Sequence, residues 1–282
     1  MIDTDFLNSL DRLHLIIKKK ITSSYSGSRE SPSFGRGLSF RDHREYVPGD
    51  DFRAIDWNVY ARTTEFFIKR YEEERNLTVH VIVDSSASMN FGRHMKKFDY
   101  GSMIGVGFAY MAMKNNERFV FSTFSDKLNP FRAKKGTKQL LNTVSYLNLL
   151  KVQGVSNFKD SLRKYKKLIN SKSLIIIISD FLFDLEELKE SLLHYKRNQL
   201  IIVQVLDPIE RDLEFYGNLV LHDSETASVL HTFVSRRVRD NYKKKLEDHI
   251  LDIKELCDRI GAEFITVTTD KPIFDTFYEI LR

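Results

Sequence analysis

The sequence is short of the residues on which several protein classes depend. Its 282 residues include a single cysteine, Cys257, which excludes a disulfide framework and a cysteine-rich zinc site and fits a reducing compartment. No apolar run approaches the ~18–20 residues of a membrane span; the longest nearly apolar stretch runs from Met103 to Met113. The opening residues, MIDTDFLNSLDRLHLIIKKK, carry acids where a secretory signal needs positive charge. A serine-hydrolase Gly-x-Ser-x-Gly elbow is missing, as is a glycine-rich Lys-Ser/Thr loop for nucleotide phosphates. The eight histidines form neither a His-x-x-x-His nor a Glu-x-x-His pair, which argues against a zinc enzyme. A soluble, cytoplasmic protein is the expectation.

What is present points to a folded chain with a sizeable core. Hydrophobic residues make up 42% and aromatics 12%, too much for general disorder. The length suits one large domain, or one domain with an appendage. Lys and Arg total 44 against 39 Asp and Glu, a net charge of +5. The basic clusters Lys18–Lys20, Lys134–Lys135, Lys166–Lys167 and Lys243–Lys245 are scattered, and the last sits among acids. They read as solvated helix faces, and nucleic-acid binding is the weaker reading.

Helical spacing of Phe6, Leu10, Leu13, Ile16 and Ile17 predicts an amphipathic helix over residues 5–20, and the Ser- and Gly-rich residues 22–39 read as loop. Residues 41–75 mix aromatics and charges, with turn signals at Pro48-Gly49-Asp50, and predict short strands around an irregular loop. From residue 77 strands alternate with helices. LTVHVIVD, RFVFSTF, SLIIIISD, QLIIVQVLD and EFITVTT read as strands, with KLNPFR a short edge strand. Helices are expected at 98–114, 137–150, 157–169, 185–197, 236–260 and 273–282, with a variable segment ending near His231. The fold class is therefore α/β, a mostly parallel central sheet flanked by helices in three layers. The N-terminal helix and a short β/loop appendage precede it. The expected divisions are residues 1–34, 35–76 and 77–282.

Sites in such sheets gather outside the carboxyl ends of the strands, and two strands here end in carboxylates, Asp84 and Asp180. Asp84, Ser86 and Ser88 stand at alternate positions, so one loop turns a carboxylate and two hydroxyls towards a common point. Ser156 in GVSN and Asp180 add oxygen donors from neighbouring loops. Hard oxygen ligands suit Mg²⁺, with Mn²⁺ as the substitute. So few carboxylates would hold the ion weakly and leave a coordination position open for an Asp or Glu of a protein partner. The plainer reading is that Ser86 and Ser88 cap the following segment while Asp84 makes local hydrogen bonds.

DSSASM after a buried strand, GVSNF and IIIISDF resemble the three metal-site loops of von Willebrand factor A domains. REYVPGDDFRAIDWNVYAR resembles the signature of the bacterial domain of unknown function 58 family, and the likeness continues through Phe91-Gly92, LDPIE at 206–210, LHDSET at 221–226 and the terminal TVTTD. It covers the chain from about Gly35 onward. The resemblance implies a von Willebrand factor A-like domain acting as a non-enzymatic adaptor with a MoxR-type AAA+ ATPase. It also implies that Asp84, Ser86 and Ser88 are metal ligands and that Ser156 takes a place usually held by Thr. Asp180 would act largely through water. Many relatives carry a membrane hairpin upstream, which this chain lacks.

Arg41, Arg44, Asp50, Asp51, Arg53, Asp56 and Arg62 alternate in sign around Tyr46, Trp57 and Tyr60. They suit either an internal clasp or a docking surface. The best enzymatic rival is a Mg²⁺-dependent phosphatase of the haloacid dehalogenase type. It requires a second Asp two residues after the nucleophile, where Ser86 stands, and a serine hydroxyl is too weak an acid to replace it. His80 and Cys257 read as core residues, His94 as structural or solvent-facing.

Overall fold

β-branched and aromatic runs build the central strands, as in TVHVIVD, RFVFSTF and LIIIIS. The computed structural model describes residues 2, 5–11, 38–73, 78–130, 136–169, 171–213, 215–222, 224 and 228–281. The chain divides into two units, one of Lys18–Asn76 and one of Met1–Ile17 together with Leu77–Arg282.

In the smaller unit β1 (Leu38–Glu45) pairs antiparallel with β2 (Phe67–Glu73), with an irregularity between Phe40 and Asp42. A short 3-10 turn, Phe52–Ala54, and a helix, Trp57–Thr63, connect them. The strands match the expectation for residues 41–75, of which 41–73 are described. The helix corrects it, since seven residues are too few to display an amphipathic period, and the start signal was Asp56, whose carboxylate accepts the Asn58 N–H at 3.0 Å. The alternating charges are taken up locally. Arg44 donates to Asp50 at 2.9 Å, Asp51 accepts the Arg53 N–H, and Asp56 meets His43 at 2.9 Å and Lys69 at 3.3 Å. Trp57 packs edge-on to Tyr60 and Phe66, and those two rings stack with centroids 4.6 Å apart.

The larger unit holds β3 (Thr78–Asp84), β4 (Arg118–Phe124), β5 (Leu128–Pro130), β6 (Leu174–Ser179) and β7 (Gln199–Leu206). A separate hairpin, β8 (Gly217–His222) and β9 (Val229–Val234), precedes β10 (Glu263–Thr268). The sheet order is β10-β7-β6-β3-β4-β5, parallel throughout except for the antiparallel β5 edge. With residues 5–11 as α1 and Trp57–Thr63 as α2, the later helices are α3 (Lys97–Lys114), α4 (Thr137–Leu149), α5 (Phe158–Lys166), α6 (Leu185–Leu193), α7 (Pro208–Asp212), α8 (Arg236–Ile260) and α9 (Ile273–Ile280).

Period-two alternation along β3 sends Val79, Val81 and Val83 to one face and Ile82 to the other. The first face is covered by α3, α4, α9 and the buried Phe6 and Leu10 of α1; the second by α5, α6 and α8. The central helix α3 lies close to the sheet and to α9 because glycines face both. A Cβ on Gly105 would stand 2.8 Å from Val81, and one on Gly107 would stand 2.0 Å from the Phe277 ring. On the second face His80 meets the Tyr165 hydroxyl at 2.9 Å, and burial drives its pKa down to about 4. Cys257 is fully buried, and burial pushes its thiol up to about 12.

Two further expectations need correction. The segment expected to be variable up to His231 contains α7, started by a capping box at Asp207 and Glu210, and then the β8–β9 hairpin. The expected loop at 22–39 yields residues 38–39 to β1. The rest of that loop, residues 12–20 of the expected first helix, Lys134–Lys135 and part of LHDSET lie outside the described residues. Among the described residues no helix is long and apolar enough to cross a membrane.

Candidate metal centre

From β3 the chain moves to β4 on one side and later returns to β6 on the other, so the strand order reverses between β3 and β6. Such a switch point leaves a crevice at the carboxyl ends, because the following loops diverge to opposite faces. Asp84 closes β3 and Asp180 directly follows β6, so the two carboxylates flank this crevice.

Asp84 is fully buried and both of its oxygens are engaged. Oδ1 accepts the Ser86 N–H at 2.8 Å, while Oδ2 accepts hydroxyls from Ser156 at 3.0 Å and Ser179 at 2.8 Å. The Ser86 and Ser88 hydroxyls lie 3.1 Å apart. Ser86 is buried, whereas Ser88 and Ser156 are half-buried at the rim. Asp84 and the three serines expected with it thus form one cluster of oxygen atoms. Capping accounts for little of it, since Ser86 precedes the short 3-10 turn Ala87–Asn90 without a side-chain cap bond.

Backbone hydrogen bonds lace the first two loops together. Ala87 N–H donates to the Gly154 carbonyl at 2.8 Å, and Gln153 N–H donates to Ser85 at 3.2 Å. Gly154 has φ +95°, and a Cβ there would meet the Asp126 carboxylate at 2.6 Å. Asp126 in turn accepts the Val155 N–H at 2.7 Å, which fixes the residue before Ser156.

The third loop is held differently. Asp180 is buried, and its Oδ2 lies 2.8 Å from the ammonium of Lys97, the first residue of α3. Lys97 is fully buried and also reaches Glu210 Oε1 at 2.7 Å. Gln204 on β7 donates to the Asp180 carbonyl at 2.9 Å, and the next residue, Phe181, takes a left-handed backbone with φ +51°. Glu210 Oε2 accepts the Asp207 N–H at 3.2 Å, so Lys97 ties the third loop to the start of α7.

Burial, reinforced by the charge of Asp180, raises the Asp84 carboxyl to about 7 against the hydrogen bonds that favour its ionised form. Burial opposes the charge on Lys97, but Asp180 and Glu210 together outweigh it and hold the ammonium above its usual range. Glu210 moves the other way: its own burial exceeds what one ammonium returns, and its pKa rises. The lysine is therefore the hub of this group.

Sequence reasoning missed Ser179, Lys97, Glu210 and Asp126. Among the described residues no group of three or more His, Cys, Asp or Glu side chains forms a carboxylate cage; the donors are mostly hydroxyls. Of the expected residues, Asp84 accepts from the Ser86 N–H and the Ser156 hydroxyl, Ser88 lies against Ser86, and Asp180 is bound to Lys97.

Residues 42–251 match the model of the family described as protein of unknown function DUF58. An uncharacterized protein of Mycobacterium tuberculosis is 24% identical over 285 residues, 99% of this chain and 89% of that protein. An uncharacterized protein of Mycobacterium avium is 28% identical over 123 residues, 44% of this chain and 69% of that protein. Among solved structures, BatB from Bacteroides thetaiotaomicron covers 73% of this chain and 97% of its own at 12% identity, with a TM-score of 0.42. An aerotolerance-related membrane protein from Bacteroides fragilis covers 73% of this chain and 98% of its own at 11% identity, with a TM-score of 0.43.

Proposed function

This chain belongs to the DUF58 family of proteins of unknown function, and from its strand-end loops we propose that the larger unit is a metal-dependent protein-interaction module rather than an enzyme. The observation that supports the reading is the contact of Asp84 with Ser86 and Ser156 from two different loops, with Ser88 against Ser86. The donor set suits a small hard cation: one carboxylate and several hydroxyls, with no thiol or imidazole among the members. A buried carboxylate raised to about 7 is also short of positive charge, which a divalent ion would supply. Asp84, Ser86, Ser88 and Ser156 would hold Mg²⁺ or Mn²⁺ directly and Asp180 through water. The ion would contribute a Lewis-acidic position for an Asp or Glu carboxylate of the partner.

The phosphatase alternative fares poorly on the same geometry. A nucleophilic Asp84 would need a general acid two residues on, where the buried Ser86 stands. Under the interaction reading the partner is a MoxR-type AAA+ ATPase, a choice that rests on the signature resemblance. The test is titration calorimetry with MgCl₂ and MnCl₂ on the wild type and Asp84→Ala, followed by capture of the ATPase with and without EDTA. Binding by the wild type and its loss in the variant support the reading; identical behaviour of the two proteins ends it.

A further inference from the structure

A fully buried ammonium is costly unless it is paired, and Lys97 is paired twice, with Asp180 at 2.8 Å and Glu210 at 2.7 Å. Asp84 ends β3 and Asp180 follows β6, and these are the two carboxylates proposed for the centre. An ammonium bound to Asp180 Oδ2, though shared with Glu210, offsets part of the negative charge that residue would otherwise offer to a cation. The remaining Asp180 oxygen, Oδ1, is only weakly engaged, with the Leu182 N–H at 3.5 Å. Of these two carboxylates Asp84 is the one without an ion pair among the described residues, and its Oδ2 accepts two neutral hydroxyls.

We propose that Lys97 is a positioning residue that fixes the charge of the metal centre: by holding Asp180 in an ion pair, it leaves a divalent ion one carboxylate ligand and hence a net positive charge. The proposal rests on the metal-dependent reading above and adds what that reading lacks, a reason for the site to favour an anionic ligand. An ion surrounded by two or three carboxylates would be neutralised by the protein and would gain little from another. An ion held by Asp84 alone keeps about one positive charge, and a partner carboxylate matches it. The design exchanges metal affinity, which grows with the number of charged ligands, for attraction to an acidic partner. The lysine also reaches α7 through Glu210, so the same side chain that neutralises Asp180 anchors the neighbouring loop.

A purely structural lysine would only glue α3 to its surroundings, and its removal would weaken every property of the centre. The two roles therefore predict opposite signs for metal binding. The experiment is titration calorimetry with MnCl₂ and MgCl₂ on the full chain as wild type, Lys97→Met and Lys97→Met/Glu210→Gln, the last removing the buried carboxylate that the first leaves uncompensated. Circular dichroism checks that each variant is folded. With Asp180 released, the double variant is expected to bind Mn²⁺ roughly tenfold or more tightly than wild type. Equal or weaker binding in the folded double variant, with wild type binding measurably, overturns the role given to Lys97 and leaves the metal reading standing. Binding by the variant alone supports the role of Lys97 and overturns metal dependence in the natural protein. Absence of binding in all three overturns both.

Discussion

Replacing Lys97 by Met keeps much of the side-chain volume and deletes one charge, so its energetic effect follows from the electrostatics of the buried group. The ammonium is fully buried, the Asp180 side chain is 4% exposed and the Glu210 side chain 20%. Removing one member of a buried ion pair costs about 3–5 kcal/mol, because the partner is left charged in a medium that solvates it poorly. Two carboxylates are abandoned here, but Glu210 retains partial access to water. A loss of about 3 kcal/mol is therefore expected near neutral pH. With a urea dependence of about 3 kcal/mol per molar, the unfolding midpoint falls by about 1 M. Glu210→Gln alone should cost less, since Lys97 keeps Asp180. Combined with Lys97→Met it should recover about 1 kcal/mol or more relative to additivity, because one abandoned charge is gone. Urea unfolding in EDTA, followed by circular dichroism, measures all four proteins. A loss below about 1 kcal/mol for Lys97→Met, the general range of solvent-exposed ion pairs, or strict additivity of the two substitutions, would refute the reasoning.

Asp84 gives a pH prediction whose sign is set by its raised pKa. Folding favours the neutral carboxyl, so its contribution is complete below about pH 4 and is lost as pH rises through about 7, up to about 4 kcal/mol in all. His80 runs the opposite way, its pKa lowered to about 4 by burial, with stability present above about pH 6.5 and lost as pH falls through about 4. The two largely offset one another in the wild type. The measurable quantity is the difference from Asp84→Asn in EDTA between pH 4.5 and 8, and parallel curves would contradict the assignment. At α3, Gly107→Ala should destabilise by about 1–3 kcal/mol through overpacking against Phe277. Phe277→Leu in the same background should restore part of that loss in thermal unfolding; a neutral Gly107→Ala would mean that the two helices separate at little cost.

The parts of this fold legible in the sequence are those whose signal is repeated along several residues. Five isoleucine or leucine positions in LIIIIS can only be a strand covered on both faces, and α3 and α8 are long enough for their burial patterns to declare themselves. The helix Trp57–Thr63 and α7 were not legible in the same way, being one or two turns whose only marks are capping aspartates. The oxygen cluster could be read because Asp84, Ser86 and Ser88 are neighbours in the chain, and strand-end topology brings Ser156 and Asp180 to them. Lys97 and Glu210 escaped notice because their meaning is purely three-dimensional. Nothing in KFDY or PIE indicates that the two residues share one ammonium contact 113 positions apart.

The topology itself explains why charge is the controlling variable at this crevice. A parallel sheet sends the ends of β3 and β6 to the same edge, and each of those strands terminates in an aspartate. Two carboxylates brought together in a buried crevice cannot both stay ionised without a positive charge nearby. Lys97 supplies one such charge, but it is shared between Asp180 and Glu210, so the group of Asp84, Asp180, Glu210 and Lys97 has an excess of negative charge when all are ionised. Only a proton or an added cation removes that excess, and Asp84, the carboxylate without the lysine, is where either would act. Near neutral pH the proton is on the point of leaving, since burial and Asp180 place the Asp84 carboxyl at about 7. A divalent ion entering there would compete with that proton alone, so below pH 7 its apparent affinity should fall by up to tenfold per pH unit, with up to one proton released for each ion bound. Above pH 7 the affinity should level off.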